Sequence, residues 1–95
     1  MSTTAPLNLL HLAKAEPGRP KSALSRDLSV QALTEPASFA PAELWLLVLE
    51  GKLIIDLPHG DFRVLEVGDS LRLSAERAVL TPLQAAVFLF TEGTG

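Results

Sequence analysis

LWLLVLEG, residues 44–51, decides how this chain folds. Six apolar residues run there before Glu50 and Gly51, far short of the roughly 20 that cross a bilayer as a helix. The run is also too uniform for a surface strand. Alternation along a strand sends Leu44, Leu46 and Val48 to one side and Trp45, Leu47 and Leu49 to the other. Both faces therefore need cover.

Working outward, the punctuation becomes regular. After Gly51 come KLIIDL and the turn PHGD, then FRVLEV and Gly68-Asp69, then SLRLS, a break through AlaGluArg, VLT before Pro82, and AAVFLFT. Short apolar runs with turn residues between them and no 3.6-residue period predict strands. Leu53, Ile55 and Leu57 share one face of theirs, with Lys52, Ile54 and Asp56 on the other. Leu71 and Leu73 likewise oppose Ser70, Arg72 and Ser74. Upstream, LSVQALT (28–34) alternates as a half-buried strand, and Pro36 and Pro41 bracket a loop whose one large residue is Phe39. LNLLHL (7–12), ended by EPGRP, predicts a first strand, with a single helical turn as the alternative. The total is about eight strands, an all-β sandwich or barrel that hides its sheet edges.

Ninety-five residues, 47 % apolar and 20 % charged, make one globular domain. Residues 1–27 form an N-terminal strand and basic loop of the same domain, and 28–95 form the barrel core. The absence of cysteine excludes disulfides, zinc-thiolate sites and thiol nucleophiles. A formal charge of −3 argues against nucleic-acid binding. Lys14, Arg19, Lys21 and Arg26 make one local basic stretch against Glu16, but its prolines and lack of aromatic residues mark a solvated loop. No signal peptide or membrane segment is read, so the expected location is cytoplasmic.

VLEGKLIID, with VGDSLRLSA beginning sixteen residues after its glycine, resembles the small single-domain cupin family over roughly residues 43–91. The resemblance implies a cupin-like double-stranded β-helix, a jelly-roll barrel. It also implies, for many members, a divalent metal held by two histidines and a glutamate in the first motif and a histidine in the second. Matched to that pattern, the glutamate position falls at Leu44, one residue from Glu43. The first two histidine positions fall near Ala37 and Phe39. The second motif's proline, glycine and histidine fall at Ser74, Glu76 and Val79. None of the four ligands is present, so neither a metal nor another cofactor is expected.

The chemistry that remains is thin. His59, in LPHGD, is expected in an exposed turn, and His11 on the polar side of the first strand. Glu50 and Asp69 beside glycines are expected to satisfy turn amides. Phe39, Phe62, Phe88 and Phe90 are expected to pack. Arg63, Arg72 and Arg77 are expected on solvated faces balanced by Glu66 and Glu76. No serine sits in a nucleophile-elbow pattern.

The resemblance turns Leu44 into the barrel, so Leu46 and Val48 follow it and Trp45, Leu47 and Leu49 point out. Covering one Trp and two Leu removes roughly 350–450 Å² from water, worth about 9–11 kcal/mol before ordering costs. The expectation is a two-fold homodimer with Trp45, Leu47 and Leu49 at its interface. The expected function is a metal-free, non-catalytic module, either holding a small apolar ligand among Phe39, Leu44, Leu46, Leu73 and Val79 or acting through its surfaces. The alternative is a metal-independent isomerase or epimerase with His59 or His11 as an acid-base residue at the rim. A third reading has side chains filling the barrel, with the fold kept for dimerisation.

Overall fold

In a computed structural model, which describes residues 8–22 and 28–92, two long strands dominate. The elements are α1 (Leu9–Lys14), β1 (Lys21–Ser22), β2 (Leu28–Leu33), β3 (Ala37–Asp56), a 3-10 turn (Pro58–Gly60), β4 (Phe62–Glu66) and β5 (Ser70–Glu92). All pairings are antiparallel, in the order β1-β2-β5-β3-β4. β3 and β5 meet twice. Leu46 pairs with Leu71 on one side and with Phe90 on the other, while Leu80 pairs with both Ala37 and Ile55. Two antiparallel arms that wind around each other in this way are a double-stranded β-helix, the jelly roll expected from the sequence.

The inner faces close on one hydrocarbon core. Leu44, Leu46, Val48, Leu53, Ile55, Leu73, Leu80 and Phe88 are all at most 3 % exposed and form one cluster with Leu33, Leu65, Ala78 and Ala86. Residues from before and after Gly51 meet in this cluster, so β3 must bend between them. Gly51 makes the bend: its φ is +80°, and a Cβ there would lie 2.3 Å from the Ala85 carbonyl oxygen. The sequence reading had a chain reversal at this glycine. The observed strand continues through it with a shift in register, a bulge that turns the strand without ending it.

The same correction applies elsewhere. AlaGluArg and Pro82 do not interrupt β5, and Pro41 and Phe39 lie within β3, not in a loop. Both prolines stand at register shifts in the ladder, where a missing N–H does least harm. Seven of the expected short strands thus merge into four, β2 to β5, two of them long, while β1 was not expected.

The N-terminal segment is a helix, contrary to the strand expected there; Leu7 lies outside the described residues. The Asn8 side chain accepts a hydrogen bond from the His11 amide at 3.0 Å, the N-cap arrangement that starts a helix. Leu9, Leu10, Leu12 and Ala13 then pack on Val30, Ala32, Val87, Leu49 and Leu89. Because α1 covers one side and the barrel the other, β2 is buried on both faces, not half-buried. Gln31 is 4 % exposed and donates to the Gly18 carbonyl at 3.2 Å.

The edge strand β4 is guarded by its own chain. Arg63 Nη1 donates to the Phe62 carbonyl at 2.8 Å. The Glu66 amide donates to Asp69 Oδ2 at 2.8 Å, and the Asp69 amide to the Glu66 carbonyl at 2.9 Å. These bonds occupy backbone groups that would otherwise offer a template to another strand. Asp69 acts as a turn residue, as expected.

Candidate functional site

Two surfaces compete as the site: the inside of the barrel and the outer face of its first half. Inside, Leu44, Leu46 and Leu73 are 3 %, 1 % and 1 % exposed. Phe39 packs against them in an aromatic cluster, with ring centroids 6.2 Å from Phe88 and 5.7 Å from Phe90. Val79 stands apart. Its neighbours Ala78 and Leu80 point into the core, and Val79 lines an outer hollow with Asp56, Leu57, Pro58 and Arg77. The inward positions around the expected second-motif histidine are therefore hydrocarbon too.

A divalent metal requires converging nitrogen or oxygen donors at about 2.0–2.6 Å. The interior offers alkyl and phenyl groups, and among the described residues no three His, Cys, Asp or Glu side chains come together. The residues present do not fit such a metal.

Neither histidine builds an acid-base site. His11 is exposed on α1 and not on a strand. His59 is exposed in the 3-10 turn at φ 68°. Among the described residues no hydrogen bond or ion pair joins either side chain to a carboxylate. The Glu50 carboxylate does not cap a turn; it binds Lys14 Nζ at 2.6 Å and fastens α1 to β3. Lys21 and Arg19 both engage Glu16, and the Lys21 hydrogen bond and charge, with Arg19, hold that carboxyl below the usual glutamate range. Three of the four cations in the basic stretch are thus paired, while Arg26 lies outside the described residues. Arg72 lies 3.9 Å from Glu43 and 5.9 Å from the Trp45 ring. Among the described residues no ion pair joins it to Glu66, which was expected to balance it; the Glu76 side chain is outside the described residues.

The outer face is where apolar surface is left over. Register sets side chains there in rows across the strands: Val30, Leu89, Leu47 and Ser70 in one, Leu28, Thr91, Trp45 and Arg72 in the next. α1 covers the part of this face that holds Leu49, Val87 and Val30. Leu49, assigned by sequence to a second subunit, is therefore partly covered by the chain's own helix. Beyond α1, a groove of about 340 Å³ runs between Leu28, Trp45, Leu47, Leu89, Thr91 and Ser70. Trp45 is 48 % exposed on it. Sequence reasoning found Trp45 and Leu47 but missed Leu28, Leu89 and Thr91. The strand register that gathers them could not be read from local alternation.

No family model and no curated protein matches the sequence. Solved structures do. The chain superposes on a cupin-2 domain protein of Shewanella frigidimarina with a TM-score of 0.73 and 13 % identity, covering 88 % of this chain and 90 % of that one. The chain has the cupin fold. A Sphingomonas hydroquinone 1,2-dioxygenase with bound 4-hydroxybenzoate shares this fold at TM-score 0.72 and 14 % identity, over 90 % of this chain and 71 % of that one. The Drosophila melanogaster CENP-C cupin domain does so at 0.57 and 18 %, over 70 % and 56 %. One fold thus occurs in a dioxygenase and in CENP-C, so function has to be argued from the site.

Proposed function

We propose that this protein is a binding module on a cupin scaffold that acts through its outer surface, its barrel filled by its own side chains. The observation that carries this reading is the packed interior. Phe88, Leu46, Leu53, Ile55, Leu73 and Leu80 are each no more than 1 % exposed and pack in one cluster. Burial of such side chains contributes about 1.5–3 kcal/mol each to stability. A ligand among them would have to displace that packing. CENP-C, on the same fold, has been crystallised bound to the protein CAL1, a precedent for a cupin-fold protein that engages another protein.

The expected test is metal and ligand content. Protein purified without chelator, examined by elemental analysis and native mass spectrometry, should retain no stoichiometric transition metal or small molecule. Added Mn²⁺, Fe²⁺, Ni²⁺ or Zn²⁺ should leave its melting temperature unchanged. One equivalent of retained metal or ligand would overturn the reading.

The isomerase or epimerase alternative needs a histidine facing a carboxylate in a polar cavity, and the exposed positions of His11 and His59 count against it. A homodimer through Trp45 and Leu47 remains a proposal for the same outer face, on a footprint reduced by the cover over Leu49.

A further inference from the structure

We infer that the groove beside Trp45 is a docking site for a short amphipathic helix of a partner protein, one that presents leucines to the sheet. The inference rests on the surface-module reading and names its partner. The occupant's chemistry is displayed by the chain itself. α1 is a six-residue helix that lays Leu9, Leu10, Leu12 and Ala13 on the same sheet face and sets Lys14 on the Glu50 carboxylate.

The groove continues that intramolecular interface. Leu89 belongs to both, packing under α1 and lining the groove. Leu28 and Leu47 follow Val30 and Leu49 at the next same-face positions of their strands. One such step is about 7 Å along a strand, close to the 8–10 Å between packed helices. A second helix laid beside α1 would therefore rest on Leu28, Leu47, Leu89 and Trp45. Its cation would find Glu43, whose partner Arg72 is as far as 3.9 Å away, as Lys14 finds Glu50.

Area counts against a second copy. Trp45 at 48 % exposure offers roughly 120 Å², and its groove neighbours are mostly partly covered already. A standard stable interface buries about 800 Å² per partner. The apolar area on offer is well below that, which counts against a two-fold dimer resting on this patch.

Trp45 is the chain's only tryptophan, so its emission reports occupancy of the groove. The probe is a synthetic peptide with the sequence of residues 8–15, NLLHLAKA, stapled as a helix, against a scrambled control. The expected result is a saturable blue shift with the helical peptide alone. Leu47→Arg and Thr91→Arg, each checked for a cooperative thermal melt, should weaken it at least about tenfold. Leu83→Arg, at an exposed position outside the groove, should leave it unchanged. No shift, or a shift that persists in both groove variants, overturns the inference. So does light scattering at twice the chain mass with emission that reddens on dilution, which would give the groove to a second copy. Metal or ligand retained in the barrel would instead sink the underlying reading without altering this titration.

Discussion

Gly51 shows how one residue sets the path of a whole strand. At φ +80°, with the Ala85 carbonyl where a Cβ would stand, it satisfies two demands that no other residue meets together. Gly51→Ala should destabilise the protein by roughly 2 kcal/mol or more. Chemical denaturation checks this, and a variant as stable as the parent would show that the bend does not depend on the missing side chain. The sequence marked this glycine clearly as punctuation. What it could not mark was the kind: a bulge and a reversal use the same residue, and the difference lies in Ala85 and Ala86, more than thirty positions away. Leu44 was more legible. Its side chain cannot ligate a metal wherever the strand runs, so that reading does not depend on how the strands are divided.

Among the elements, α1 carries the largest difference from expectation. Its signal was present in Asn8 followed by LLHLAK, a cap and an apolar stretch with a terminal cation, but six residues are too few for periodicity to outweigh a short strand. Tertiary contact supports it, because the helix gathers Leu9, Leu10, Leu12 and Ala13 over Val30, Ala32 and Val87. Asn8→Ala should weaken the cap by about 1 kcal/mol, and hydrogen exchange should quicken at the amides of α1 while the core of β5 stays protected. Uniform loss of protection through both elements would mean that α1 is part of the global folding unit and not a cover laid on the sheet.

For the whole molecule, the pairing of β3 with β5 along two ladders fixes what each surface can do. The short-range alternation gave correct faces for residues 44–49, 52–57 and 70–74, with the break between them at the Gly51 bulge. The groove was not legible in this way, because it draws on β2, β3 and β5, which only the register brings together. No described helix is long and apolar enough to cross a membrane. Under the proposed function, the inside of this cupin fold is structural and its outer face binds. The most direct measurement is anomalous scattering from crystals pressurised with xenon and soaked with Mn²⁺, since xenon enters apolar cavities and manganese enters oxygen and nitrogen sites. A filled barrel should show no peak of either element among Phe39, Leu44, Leu46, Leu73 and Phe88. A full-occupancy peak there would contradict it.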